Sequence, residues 1–309
     1  MRKFTKYFII AICSMITLSF SVDVQAEEND LVVYDYVNQT EYRTSSGLDT
    51  NMESGKIDSN LMDESIAESY IPDTLLQQNE NILPNSLIDG SQMEEVDPKV
   101  FPNSTITYLR IGHDTTGDGK ADTWFTGTGF IVGPDVMVTA GHCFWSEEYG
   151  WAKEVRTYLK YEHGKTTQYY YPSYWIYSNE YIENGNSEYD WCVVIMQQNV
   201  GAMTGWLGFG VSESLVGKDI NVAGFAYTDD YSNLCQFQSA GQIISQKERT
   251  LNYNASTKRG QSGGPVFDSN GVAWGIHAYG GPSNSGCVIK SSLYELLTRK
   301  REEGIEKYN

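Results

Sequence analysis

From about residue 86 onward, hydrophobic positions come in short β-branched and aromatic runs rather than at helical spacing. Ile106-Thr107-Tyr108-Leu109, Phe130-Ile131-Val132, Val136-Met137-Val138-Thr139 and Cys192-Val193-Val194-Ile195-Met196 each predict a strand, bounded by Gly, Asn, Asp and Pro. Further strands are predicted at Ile220-Asn221-Val222-Ala223, Gly241-Gln242-Ile243-Ile244, Pro265-Val266-Phe267 and from Val272 to His277. Many short strands with little helix predict an all-β barrel or sandwich. One helix is expected at the C-terminal end, where Ser291 or Ser292 offers a cap, Glu295 follows it, and Leu293, Leu296 and Leu297 make an apolar stripe. No internal repeat is visible.

The first residues set the compartment. Arg2, Lys3 and Lys6 form a basic start, Tyr7 to Phe20 is apolar, and Val24-Gln25-Ala26 supplies small residues around a cleavage point. Residues 1–26 therefore predict a signal peptide, too short in its apolar part to span a bilayer comfortably, with an uncleaved anchor as the alternative. No later run is long and apolar enough to span, so a secreted, extracellular protein free of the membrane after signal removal is expected. Residues 27–85 are rich in Asp, Glu, Ser and Asn, carry only Arg43 and Lys56 as bases, and hold no Cys. Such a segment is poorly suited to building its own core. Its position predicts a propeptide, and a flexible tethering arm is the other reading.

The 309 residues carry a formal net charge of −18, which excludes nucleic acid and anionic membrane surfaces as partners, since both need clustered Lys and Arg. The acidity serves solubility. Cys13 leaves with the signal. Cys143, Cys192, Cys235 and Cys287 remain, an even number in an oxidising compartment, so two disulfides are expected with three pairings open. There is no C-x-x-C pair and the His residues are scattered, so no zinc site is expected. Asp114, Asp118 and Asp122 alternate around glycines as in a calcium loop, but Phe125 stands where the bidentate acid is needed. Gly117-Asp118-Gly119-Lys120 also reads as a hairpin turn, the favoured reading, so no cofactor is expected.

Three segments carry chemistry. Val138-Thr139-Ala140-Gly141-His142-Cys143 sets a His after a β-branched run, Glu188-Tyr189-Asp190-Trp191 opens a strand with an acid, and Arg259-Gly260-Gln261-Ser262-Gly263-Gly264-Pro265 sets a Ser in a glycine-dense turn. A serine hydroxyl is a poor nucleophile and needs a neutral imidazole to take its proton. A carboxylate on the far ring nitrogen fixes the tautomer and stabilises the imidazolium. Glycines let the N–H groups of Gly260 and Ser262 point at a developing oxyanion. His142, Asp190 and Ser262 are thus the candidate catalytic triad, with Gly260 and Ser262 as the oxyanion hole.

Thr139-Ala140-Gly141-His142-Cys143 and Gly260-Gln261-Ser262-Gly263-Gly264-Pro265 resemble the His and Ser signatures of chymotrypsin-like serine peptidases, and the order His, Asp, Ser agrees. Within that superfamily the chain is most similar, from about Ser86 to Leu297, to the bacterial glutamyl endopeptidases of the V8 type. Ser86-Leu87-Ile88, Tyr189-Asp190, Ala223-Gly224-Phe225 and Gly275-Ile276-His277 add to the likeness. The resemblance implies two antiparallel β-barrels with the active site between them. The N-terminal barrel would take residues 86–200 with His142 and Asp190, and the C-terminal barrel residues 201–309 with Ser262 and the final helix. It implies a monomeric zymogen whose active form cleaves protein or peptide substrates through an acyl-enzyme.

The same resemblance places Thr257 and His277 at the wall of the primary pocket. A hydroxyl and an imidazole there can hydrogen-bond a substrate carboxylate, and a protonated His adds charge, so cleavage after Glu, and less readily after Asp, is expected. A satisfied core histidine is the alternative role for His277. Gln261 stands where trypsin-like zymogens keep an Asp for the new terminal ammonium, so that ion pair is not expected. The likeness implies instead that a freed amino terminus, at Ser86 or at Val96, approaches the pocket. Gly127 stands where trypsins pair a Cys with the one after the catalytic His, which suggests Cys143–Cys192 and Cys235–Cys287 pairing.

Two other functions fit parts of the sequence. Gly260-Gln261-Ser262-Gly263-Gly264 satisfies the Gly-x-Ser-x-Gly elbow of α/β-hydrolase esterases, but only His277 follows it, far too close, and helices are scarce. A catalytically silent toxin-like or adhesive module on the same fold is the second. The complete triad motifs favour the enzyme.

Overall fold

The structure is a computed structural model that describes residues 30–45, 64–76, 92–229, 232–281 and 283–309. The signal segment and Ser86 lie outside the described residues. Strands β1 (Asp30–Asp35) and β2 (Thr40–Ser45) form a hairpin, followed by β3 (Glu64–Ala67), the short helix α1 (Asp73–Leu76) and β4 (Met93–Glu95). The first barrel comprises β5 (Ile106–His113), β6 (Thr123–Ile131), β7 (Val136–Thr139), β10 (Glu154–Tyr158), β11 (Pro172–Ser178) and β12 (Cys192–Met196), with the small hairpin β8 (Trp145–Ser146) and β9 (Gly150–Trp151) after β7. Helix α2 (Asn179–Asn184) precedes β12, and α3 (Gly201–Thr204) leads to the second barrel. There β13 (Gly208–Ser212), β14 (Asp219–Tyr227), β15 (Leu234–Lys247), β16 (Thr250–Tyr253), β17 (Pro265–Phe267), β18 (Val272–Tyr279) and β19 (Asn284–Val288) precede the final helix α4 (Ser291–Tyr308).

Pairing closes each sheet. The first runs β10-β5-β6-β7-β12-β11, and Thr157 of β10 bridges Tyr170 just ahead of β11. The second runs β17-β14-β15-β16-β19-β18, and β17 pairs back with β18. Strands β7 and β12 are buried along their whole length, as their unbroken apolar runs require. All predicted strands are present and the expected all-β, two-barrel architecture is observed. The periodicity did not reveal β10, β11, β13, β16 or β19, whose Tyr, Ser, Asn and Gly blur the alternation.

Helix α4 buries Leu293, Leu296 and Leu297 as expected. Its cap is Lys290, however, with no side-chain bond, and Ser291 and Ser292 are its first residues. Within it Arg301 is buried and bonds the carbonyls of Glu68, Val132 and Leu207, joining both barrels and the segment before them. Among the described residues no helix is long and apolar enough to cross a membrane.

Residues 30–45 and 64–76 build no core of their own. They borrow one: β1 adds to the edge of β11, burying Leu31, Val32, Val33 and Tyr34, and β3 adds to β13. An apolar run too short to fold alone is stable on an open sheet edge because the edge supplies both ladder bonds and a packed face.

The expected disulfides are not formed. Cys143, Cys192, Cys235 and Cys287 are all free thiols, each buried. Cys143 faces Ser262 O at 3.6 Å and Cys287 faces Ser187 O at 3.5 Å. Cys235 sits in a separate small cluster with Ala226 and Phe237, so the fold keeps it from Cys287. At the Asp114 loop, the carboxylate of Asp114 accepts from the N–H groups of Gly117 at 2.6 Å and Gly119 at 2.7 Å, and that of Asp122 from Thr115 and Thr116. These oxygens are occupied in closing the β5–β6 turn.

Candidate active site

His142 follows buried β7 in a single 3-10 turn, Gly141–Cys143. Tyr177 of β11 donates to Gly141 O at 2.9 Å and holds that turn. Asp190 ends another 3-10 turn, Ser187–Tyr189, directly before β12. Because β12 pairs with β7 in the register Cys192↔Thr139, the acid arrives beside the imidazole. Asp190 Oδ2 lies 2.7 Å from His142 Nδ1, and Oδ1 accepts from the His142 backbone N–H at 2.7 Å. The packing at Gly141 is tight: a Cβ there would stand 3.0 Å from both Asp190 Oδ1 and the Tyr181 ring.

The electrostatics follow from this contact. Burial of His142 opposes its charged form, but the charge and hydrogen bond of Asp190 outweigh it and hold the imidazole above its ordinary value. Burial likewise opposes the Asp190 anion, and His142, Tyr279 and the His142 N–H together keep its carboxyl below the usual range. Asp190 is fully buried while the His142 side chain is part-exposed.

Ser262 comes from the second barrel. Gly260 and Gly263 flank it at φ +106° and +88°, conformations that L side chains rarely adopt. A Cβ on Gly263 would meet Thr128 O at 2.1 Å. Thr128 of β6 is the clamp that sets this turn against the first barrel. Its N–H donates to Ser262 O at 2.9 Å, and its hydroxyl donates to Gly260 O and accepts from Phe225 N, both at 2.9 Å. From the other side, Gly263 N donates to His277 O at 2.7 Å and His277 N to Gly264 O at 2.8 Å. The N–H groups of Gly260 and Ser262 donate to no protein acceptor among the described residues. Ser262 Oγ donates weakly to Ala278 O at 3.4 Å and makes no hydrogen bond to His142.

His277 is buried in β18, with Nδ1 2.6 Å from the hydroxyl of Tyr253. Burial and the nearby His142 pull its imidazole down to about 4, against a backbone contact at Ser285. It is neutral at pH 7, a hydrogen-bonding group rather than the charge expected. Thr257 is half-buried on the segment before Ser262, and that segment is fastened to β19 by Asn284 Nδ2 donating to Ala255 O at 2.6 Å. Gln261 is fully buried and bonds within its own neighbourhood, to Lys258 N at 2.7 Å and Phe237 O at 3.2 Å. A cleft of about 490 Å³ opens beside Gly260, walled by Trp124 and Thr126 of the first barrel and by Tyr227, Lys258 and Arg259 of the second. Thr128, Tyr253 and Tyr279 were not foreseen, because no local pattern marks a Thr or Tyr whose partner lies on another strand.

Two β-barrels, with a His–Asp pair on one facing a Ser in a glycine turn on the other, define the chymotrypsin-like serine peptidase class. Residues 127–276 match the family of the trypsin-like peptidase domain. It is similar to a glutamyl endopeptidase of Bacillus licheniformis, 30% identical over 221 residues, 65% of each chain. The chain thus spans just under two thirds of that relative's length. It is also similar to an extracellular metalloprotease of Bacillus subtilis, 27% identical over 244 residues and 74% of each chain. Among solved structures, a Glu endopeptidase in complex with MPD shares the fold at a TM-score of 0.60 and 20% identity, over 70% of this chain and all of that one.

Proposed function

We propose that the protein is a secreted serine endopeptidase, made as a preproenzyme, that cleaves after Glu and less readily after Asp. The observation that carries the reading is the buried Asp190 carboxylate 2.7 Å from His142 Nδ1, opposite a glycine-bounded Ser262. In the reaction Ser262 Oγ attacks the scissile carbonyl as its proton passes to His142 Nε2. Asp190 stabilises the imidazolium that results. The free N–H groups of Gly260 and Ser262 receive the oxyanion. His142 then protonates the leaving amine, and water repeats the sequence to release the acyl group. The long Ser262–Ala278 contact leaves the hydroxyl free to turn to His142 when substrate enters, as such bonds often tighten only in the complex.

Glutamate preference rests on His277. His277 Nδ1 lies 2.6 Å from the Tyr253 hydroxyl; in the tautomer that carries its proton on Nε2 the ring can donate to a substrate carboxylate, and Thr257 offers a second hydroxyl. The name of the Bacillus licheniformis relative supports the same choice, and that of the Bacillus subtilis relative supports secretion.

Profiling the processed protein against a peptide library tests activity and preference together. Wild type should cut after Glu. Ser262→Ala should abolish cleavage with the fold retained, and His277→Val should lower kcat/KM for Glu peptides selectively. Cleavage that persists in Ser262→Ala would mean a different nucleophile. Loss of stability in His277→Val with unchanged preference would return His277 to a purely structural role. A folded wild-type chain that cuts nothing would favour the silent binding module.

A further inference from the structure

Three metal-binding side chains meet on β15, outside the hydrogen bonds of the active site. Glu95 ends β4, His163 lies in the loop between β10 and β11, and Cys235 is near the start of β15. His163 Nε2 is 2.9 Å from Glu95 Oε1, and its Nδ1 is 3.4 Å from Cys235 Sγ. The Glu95 carboxylate also reaches the thiol, and one donor atom from each residue lies within 4.8 Å of the others.

We propose that Glu95, His163 and Cys235 form a site for a borderline divalent cation such as Zn²⁺, with a fourth position open to solvent. The donor set of thiolate, imidazole and carboxylate is the one zinc favours. A tetrahedral ion at ordinary bond lengths separates sulfur from nitrogen by about 3.5 Å, close to the spacing already present. Cys235 is 2% exposed while Glu95 and His163 reach the surface, which gives a buried anchor and an entry path. Burial, and then Glu95, push the thiol up to about 11, so binding releases its proton and tightens as pH rises. Lys258, whose charge acts on Cys235, is held by Asp229 at 2.8 Å. The ion would fasten three segments together: β4, the loop at His163 and β15. The inference does not depend on peptidase activity.

Cobalt(II) is a suitable probe because a thiolate ligand gives it a near-ultraviolet charge-transfer band. The reduced, chelator-treated full chain should bind one Co²⁺ with that band, and Zn²⁺ should displace it. Cys235→Ser should remove the band. His163→Ala and Glu95→Gln should each weaken cobalt binding by at least about tenfold, the loss that even outer partners of a metal produce. Circular dichroism checks that each variant is folded, and the exposed, near-isosteric Glu95→Gln keeps the test readable should Cys235→Ser misfold. No band with folded wild type, a band surviving in Cys235→Ser, or unchanged affinity in both other variants would overturn the proposal.

Discussion

At the scale of the residue, Asp190 acts on everything near it. It is fully buried, yet three donors surround it: the His142 ring, the His142 N–H and the Tyr279 hydroxyl. Its charge lifts His142 above 6.5 despite burial. Hydrolysis needs the neutral imidazole, so kcat/KM should fall as pH drops through a value above 6.5, measurable with a Glu peptide across pH. Asp190→Asn should move that acid limb lower and reduce kcat by about 10⁴, a magnitude measured within this same superfamily. The linkage to stability has two signs. The raised His142 contributes stability that is present below 6.5 and lost as pH rises through its folded value. The lowered Asp190 contributes stability present above 3.8 and lost as pH falls through its own folded value. Denaturation of wild type and Asp190→Asn against pH should show both slopes vanish together.

At the scale of the element, the site depends on strands meeting across two barrels. Strand β6 delivers Thr128, and through it the first barrel grips the Ser262 turn of the second. Thr128→Val preserves shape but leaves Gly260 O and Phe225 N buried without their partner, at about 1–3 kcal/mol for each such group. Thermal unfolding should report that loss, and kcat should fall more than KM changes if the Gly260 N–H serves as the proposed oxyanion donor. Unchanged melting and kinetics would mean the clamp is incidental. The elements also show how far periodicity reaches. Strands β7, β12 and β17 match the residues that their apolar runs predicted, since a strand buried on both faces needs no alternation. Strand β11, Pro172–Ser178, was missed because its Tyr and Ser residues hide the pattern.

At the scale of the whole molecule, the chain before the barrels is part of the packing. Strand β4 is locked in a sheet: Glu95 pairs with Phe237, and Val96 N donates to Gln236 O at 3.0 Å. A peptidase needs its substrate extended and free of such bonds, so the Glu95–Val96 bond should resist cleavage. N-terminal sequencing of the processed protein should find Ser86, and a start at Val96 would show that β4 opens. The sequence by itself determined the all-β class and marked the candidate site segments around His142, Asp190 and Ser262, for a physical reason. A glycine that permits φ > 0, a His after a buried strand and an acid before one are local requirements, and local requirements are written in adjacent residues. It also settled the helix stripe of Leu293, Leu296 and Leu297, though not its cap. Tertiary structure alone decided that the four thiols stay unpaired, that His277 is neutral, and that a coreless segment lies on two sheet edges. It alone brought Glu95, His163 and Cys235 together, because contacts between residues 68 to 140 positions apart depend on strand order and register, which no local pattern encodes.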